Sequence, residues 1–188
     1  MNLVERVKAI LLQPKSEWRV IEGEPGSAGY LFPNYVMILA AIPPICSFIG
    51  MTLIDFGPLH VGAGVALVRS IVTYVLALAG VFVMAYVIDL LAGMFGGRRG
   101  LDNAMKVSAY TPTAAWLAGV FGLVPMLSIL SLLGLYSIYL LHTGIAVLMQ
   151  PPANKAVLYT IAVIVVMMVI WLVIGGIVFA AVGMGSVF

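Results

Sequence analysis

The stretch that decides the fold reads DNAMKVSAYTP at residues 102–112 and continues as LYSIYLLHTG at residues 135–144. Both stretches belong to apolar runs that predict two helices, and Pro125 marks the turn between them. Polar side chains interrupt both helices at depths where a membrane protein is expected to meet hydrocarbon. We expect the rest of the chain to pack around this hairpin.

The composition indicates a membrane protein. Hydrophobic residues make up 63% of the 188 residues and the mean hydropathy is +1.18. Charged residues make up 9%, whereas soluble domains carry about 25%. Such a chain can fold in a bilayer, because lipid tails solvate apolar side chains directly. Its length suits five spans of about 20 residues, so we predict an all-α polytopic membrane protein with a five-helix transmembrane bundle.

The chain divides into two predicted regions. Residues 1–30 form a cytoplasmic segment with a short amphipathic helix, in which Glu5, Arg6 and Lys8 lie opposite the apolar side chains. We expect this helix to lie on the membrane surface, with Trp18 at the level of the lipid headgroups. Residues 31–188 form the transmembrane domain. Its predicted spans are 33–53, broken at Pro43-Pro44, then 64–94, 103–124, 126–149 and 156–181.

The positive-inside rule predicts the orientation of these spans. Basic residues concentrate before the first span, between the second and third, and after the fourth: Arg6, Lys8, Lys15, Arg19, Arg98, Arg99, Lys106 and Lys155. The ninth basic residue, Arg69, lies inside the second span. Because cytoplasmic loops carry the excess of Lys and Arg, we predict a cytoplasmic N-terminus and an external C-terminus.

Three predicted spans bring polar side chains to a similar depth near the cytoplasmic side. The candidate cluster comprises Asp89, Lys106, Ser108, Thr111, Pro112, Tyr139, His142 and Thr143. Pro112 has no N–H, so it would free the carbonyl of Ser108 as a hydrogen-bond acceptor. The cluster could hold an ion, a proton or a lipid headgroup. Alternatively, its hydrogen bonds only fix the packing, with Asp89 neutralised by Lys106 or Arg98.

A second polar set, Asp55, His60 and Arg69, is predicted at the outer face. Arg69 could pair with Asp55, and we favour a side chain that extends outward to water. Motifs for phosphate binding, zinc hydrolysis and nucleophilic serine are absent from the sequence, and Cys46 is its single cysteine. We therefore predict no catalytic residue, no metal site, no cofactor and no nucleic-acid partner.

Several segments resemble the Yip (Ypt-interacting protein) family of five-span membrane proteins, in a bacterial form. The resemblance rests on the segments ERVK … LLQPKSEW (residues 5–18), AMKVSAYTP (104–112), LYSIYLLHTG (135–144) and MQPP … KA (149–156). It implies five spans, a cytoplasmic N-terminus and no established enzymatic chemistry. For a bacterial chain it implies the inner membrane.

Two functional hypotheses follow. The first is a non-enzymatic membrane scaffold or adaptor, whose segments 1–30 and 96–102 contact a membrane or cytoplasmic protein. The second is a small transporter or channel that uses the polar cluster. In both, the lipid bilayer is the main partner, and a homo-oligomer remains an open alternative.

Overall fold

The computed structural model describes residues 2–53, 62–123 and 125–185, and every regular element in these ranges is helical. The predicted all-α fold is confirmed at this level. Four helical stretches are long and apolar enough to cross a membrane: Ala28–Thr52, Ala63–Met94, Ile129–Met149 and Ala153–Gly176.

The N-terminal segment forms two short helices, α1 (Leu3–Leu12) and α2 (Pro14–Glu22). The side chain of Asn2 caps α1 by accepting a hydrogen bond from the backbone N–H of Val4 at 3.1 Å. Pro14 begins α2, where its missing N–H costs nothing. Residues 2–27 are called the arm below.

The first apolar stretch is built from short pieces. Helix α3 (Ala28–Leu31) runs through a π-turn at Phe32–Val36 into α4 (Met37–Ala40), and α5 (Ile42–Leu53) follows. The interruption falls at Ala41, just before the predicted Pro43-Pro44 break. Prolines are tolerated in the first turn of a helix, because the N–H groups there have no intrahelical partner.

The two longest helices, α6 (Ala63–Met94) and α10 (Ala153–Gly185), are uninterrupted. Helix α6 carries two charges, Arg69 and Asp89, separated by 20 residues. At 1.5 Å per residue this separation is about 30 Å, which equals the hydrocarbon thickness of a typical bilayer. The stretch between them has no charged residue, so the two charges can mark the two membrane faces rather than lie in hydrocarbon.

The central hairpin is irregular. Its first half contains α7 (Leu101–Tyr110), α8 (Thr113–Ala118) and a 3-10 turn at Gly119–Leu123. Its second half has 3-10 geometry at Pro125–Leu135, then α9 (Tyr136–Gly144) and a π-turn at Ile145–Met149. The predicted third span, 103–124, is absent from the four candidate stretches, because its helix breaks at Thr111-Pro112.

The hairpin lies among the other helices. Helix α7 packs against α6, the 119–123 turn packs against α5, and α10 contacts both α6 and α9. The arm adds Ile10, Trp18 and Ile21 to the same buried core, all of them fully inaccessible to solvent.

Gly119 permits a close approach between the hairpin and α5. A Cβ atom at this position would lie 2.6 Å from Cγ of Pro43, and a proline ring has little freedom to move. We expect Gly119→Ala to lower the free energy of unfolding by about 1–3 kcal/mol through overpacking. The measurement is thermal unfolding of the purified protein in detergent. The matched control is Gly122→Ala, because a Cβ there would meet no atom within 4 Å. Equal stability of the two variants would contradict the prediction.

Candidate functional site

One end of the bundle holds the turns that connect α6 to α7 and α9 to α10. The backbone N–H of Arg98 donates to the carbonyl of Met149 at 2.6 Å, which ties the two turns together. Arg98, Arg99 and Lys155 are exposed there. We call this end the basic end. The arm packs against the same end, through contacts of α2 with α9 and with the Ile145–Met149 turn.

Asp89 stabilises the connection between α6 and α7. Its side chain is 17% exposed, and it accepts hydrogen bonds from Arg99 at 3.0 Å and from the backbone N–H of Gly100 at 2.8 Å. Gly100 immediately precedes α7, so the carboxylate lies at the positive end of that helix. Arg99 therefore makes the ion pair that we expected from Lys106 or Arg98.

Lys106 faces the arm. Its ammonium donates to the carbonyl of Glu22 at 2.8 Å and approaches the side-chain oxygen of Asn103 at 3.5 Å. Although Lys106 is only 4% exposed, its long side chain reaches the polar C-terminal end of α2. The residue thus joins the arm to the hairpin.

Arg6 forms the centre of the junction between the arm and the bundle. It is 7% exposed and its guanidinium makes ion pairs with Glu17 and Glu24. The guanidinium also lies over the ring of Tyr110, with its carbon 5.8 Å from the ring centre. The predicted position of Arg6 on the polar side of α1 is wrong, because Arg6 shares the buried face with Ile10, four residues later.

Trp18 is completely buried inside the protein. Its indole N–H donates to the hydroxyl of Thr143 at 3.0 Å. The ring also contacts α9 at Gly144, where a Cβ would lie 2.7 Å from Cζ2 of Trp18. Its edge approaches Tyr110 with the two ring centres 6.2 Å apart. We define the arm junction as Arg6, Glu17, Trp18, Glu24, Lys106, Tyr110 and Thr143.

Three residues of the predicted cluster, Ser108, Thr111 and Pro112, lie at or next to the helix break at Thr111-Pro112. The hydroxyl of Ser108 donates to the carbonyl of Met105 at 3.0 Å, within its own helix. Ser108 and Pro112 line a groove of about 350 Å³ together with Trp116 of α8 and side chains of α6 and α10. The hydroxyl of Thr111 is buried and has no hydrogen-bond partner in the part of the chain that the structure describes.

The predicted cluster residues of α9 point in different directions. Thr143 faces the arm through its bond with Trp18. The Nδ1 atom of His142 lies 3.1 Å from the hydroxyl of Thr160, so His142 faces α10. Tyr139 is 40% exposed and its ring lies beside that of Tyr136. The hydrogen bonds thus place four residues of the predicted cluster in three neighbourhoods: Asp89 at its turn, Lys106 and Thr143 at the arm junction, and His142 at the α9–α10 contact.

Little of the predicted outer set can be located. Asp55 and His60 lie outside the described residues. Arg69 is exposed near the end of α6 opposite the basic end.

Sequence reasoning missed Glu17, Glu24 and Tyr110 as members of the junction. One signal was available, because Arg6 falls on the apolar face of α1 and a buried arginine needs acidic partners. The nearest acids outside α1 are Glu17, Glu22 and Glu24, all in the arm. The indole donor of Trp18 gave a second signal, since a buried indole N–H usually finds an acceptor.

Comparison with known proteins identifies the family. The Yip1 domain matches residues 8–174. Inner membrane protein YohC of Escherichia coli strain K12 is 32% identical over 129 residues, which cover 66% of each chain. The protein of the same name from Escherichia coli O6:H1 strain CFT073 matches to the same extent. The chain thus covers slightly less than two thirds of the length of these relatives. No solved structure gives a significant match. A family match over most of the chain shows that this protein belongs to the Yip1 domain family of membrane proteins.

Proposed function

We propose that this protein is a non-enzymatic scaffold or adaptor in the bacterial inner membrane. Five crossings are supported by the four long apolar stretches together with the broken segment Leu101–Leu123. An odd number of crossings puts the two termini on opposite sides. The basic residues of the arm and turns favour a cytoplasmic basic end. The inner-membrane relative supports the location.

The observation that carries the proposal is the use of polar side chains at the arm junction. Arg6, Lys106 and Trp18 each bond to a group elsewhere in the protein. A transport path would need such groups to face a water-filled cavity. Here the ion pairs of Arg6 join segments of the arm, and Lys106 and Trp18 hold the folded arm against the bundle, so together they create a shaped surface at the basic end.

This surface offers two regions for a protein partner. One lies within residues 1–30. The other is the 96–102 turn, where Arg98, Arg99 and Asp102 are exposed. Exposed basic side chains favour an acidic partner surface and steer its approach.

A second candidate function, a small transporter or channel, is favoured by one observation. The buried hydroxyl of Thr111 has no partner among the described residues, and Pro112 cannot supply an N–H to the carbonyl of Ser108. Two acceptors at a helix break could line an ion or proton path.

Flux through reconstituted liposomes distinguishes the two functions. We expect the wild-type protein and Asp89→Asn to give the same background rate of proton and cation flux, because Asp89 serves the turn before α7. Thr111→Val should also leave the rate at background. A flux above that of protein-free liposomes, if Asp89→Asn or Thr111→Val abolishes it, would contradict the scaffold proposal and support transport.

Crosslinking in cells tests the adaptor role. With Cys46→Ser as the background, single cysteines introduced at Lys8 and at Arg98 should capture a defined partner. If neither position captured a partner, the result would contradict the adaptor role.

A further inference from the structure

We infer that the corner between α1 and α2 is inserted into the cytoplasmic leaflet and that Lys8, Lys15 and Arg19 contact anionic lipid headgroups. The inference rests on the proposed function for the cytoplasmic placement of the basic end. It deepens that proposal, because it makes the arm a lipid-binding element as well as part of the scaffold.

The depth of the corner is the first argument. The hydroxyl of Tyr136 donates to the carbonyl of Leu11 at 2.9 Å. Tyr136 begins α9, and Met149 at the basic end lies 13 residues later, which is about 20 Å along a helix. Asp89 lies six residues before Phe95 at the same end, which is about 9 Å. If Asp89 is taken to mark this membrane face on α6, the corner lies about 10 Å nearer the bilayer centre than this charge.

The surroundings of Leu11 are the second argument. It lines an apolar groove of about 470 Å³ that also includes Leu117, Phe121 and Leu133. Leu133 belongs to the stretch Ile129–Met149, which is apolar and long enough to cross a membrane, and Leu117 and Phe121 belong to the other half of the hairpin. The end of α1 thus extends along the membrane-embedded part of the bundle.

Several backbone groups of the corner are satisfied within the protein. Unsatisfied backbone groups cost several kcal/mol in hydrocarbon. The N–H of Gln13 donates to the carbonyl of Ala9 at 2.8 Å, and the carbonyl of Gln13 accepts from Glu17 N–H at 3.0 Å and from the Ser16 hydroxyl at 2.9 Å. Pro14 has no N–H to satisfy. The turn therefore needs no water at these groups.

The outer face of the arm combines apolar and basic side chains. Val4, Lys8 and Leu12 follow one another at intervals of four residues, which places them on one stripe of α1. Leu12 is 79% exposed and Val4 is 59% exposed. Lys15 and Arg19 are exposed on α2, and their long side chains can reach the phosphate level from below. This is the pattern of a helix that binds at a membrane interface.

The acids of the arm leave this basic surface intact. Glu17 and Glu24 pair with Arg6 inside the arm junction. A side-chain oxygen of Glu22 accepts a hydrogen bond from Gln150 at 3.1 Å, toward the basic end. Of the arm's four acids, Glu5 and Glu22 are exposed, and Glu22 is occupied by its bond with Gln150. Each basic residue of this surface, when it lies near an anionic leaflet, should raise the binding constant of the arm for that leaflet about fivefold.

A spin label measures the insertion directly. In a Cys46→Ser background, Leu12→Cys carries a nitroxide, and the protein is reconstituted in bilayers of phosphatidylcholine with phosphatidylglycerol. We expect the label to be accessible to oxygen, protected from a water-soluble nickel complex, and about 5–10 Å below the phosphates. The control label at Lys155→Cys, at the exposed start of α10, should be accessible to the nickel complex. A Leu12 label as accessible to nickel as the Lys155 label would overturn the inference.

A second measurement tests the headgroup contacts. Adding phosphatidylglycerol to mixed micelles of detergent and phosphatidylcholine should raise the melting temperature of the wild-type protein. The triple variant Lys8→Gln, Lys15→Gln, Arg19→Gln should lose most of this rise, whereas the control Arg98→Gln, Lys155→Gln should keep it. A full rise in the triple variant would overturn the lipid contact.

The topology is tested separately. An impermeant maleimide should label Lys155→Cys in inside-out vesicles and not in intact cells. The opposite result would refute the cytoplasmic placement in the proposed function, while the depth of the Leu12 label would still report whether the corner is inserted.

Discussion

Arg6→Met is expected to lower the free energy of unfolding by about 3 kcal/mol, because the substitution leaves two carboxylates facing each other without their cation. Arg6 is 7% exposed, and the side chains of Glu17 and Glu24 are 15% and 27% exposed. Such carboxylates can only partly regain hydration while the arm stays docked. We therefore expect the arm to detach before the bundle unfolds. Trypsin should then cleave the variant at Lys15 and Arg19 much faster than the wild-type protein.

Two further variants make this prediction specific to the ion pairs. Adding Glu17→Gln and Glu24→Gln to Arg6→Met should restore most of the lost stability, since the repulsion disappears. Lys8→Met removes an exposed cation from the same helix and should change stability by no more than about 0.5 kcal/mol. If Arg6→Met were as stable and as resistant to trypsin as Lys8→Met, the ion pairs would not hold the arm.

Trp18→Ala is expected to have a similarly large effect. The side chain is completely buried, and truncating a buried tryptophan costs about 3–5 kcal/mol. The variant also loses the hydrogen bond to Thr143. Thermal unfolding in detergent measures the loss. Trp18→Phe keeps a ring in the same place but removes the indole N–H. Apart from the effect of the smaller ring on packing, its free energy of unfolding should fall by about 1 kcal/mol, the usual contribution of a single hydrogen bond.

The control for Trp18 comes from the same helix. Val20 is 55% exposed, so Val20→Ala should be nearly neutral. Gly144→Ala should reproduce part of the Trp18 effect, because the new methyl group would displace the ring. Equal melting temperatures for Trp18→Ala and Val20→Ala would show that the docked position of α2 does not stabilise the protein.

The long apolar helices could be predicted from the sequence. The apolar run predicts the second span at 64–94, and α6 runs over Ala63–Met94. Continuous apolar runs bounded by glycine and charge leave few alternatives, because the chain must satisfy its backbone groups within each span. The helix boundaries of the central hairpin were less predictable. The sequence predicted one continuous third span, whereas Pro112 divides it into α7 and α8.

The arm junction could not be predicted in the same way. Arg6 was placed on the polar side because a charge normally favours water, and ten residues of α1 give a weak periodic signal. Its burial depends on Glu17 and Glu24, which lie in the next helix and beyond it. The partner of Trp18 lies 125 residues away in the chain. A pattern within one segment contains no information about such a contact.

The separation of Trp18 from Thr143 also has a consequence for biosynthesis. The ribosome adds roughly 5–20 residues per second, so α2 is made about 6–25 seconds before its binding surface on α9 exists. The bond from Tyr136 to Leu11 spans the same distance in the chain. The arm must therefore complete its docking after the apolar stretch Ile129–Met149 has been synthesised. Final assembly joins the arm to a late segment, and a nascent chain truncated before α9 would lack the part of the binding surface that α9 supplies to α2.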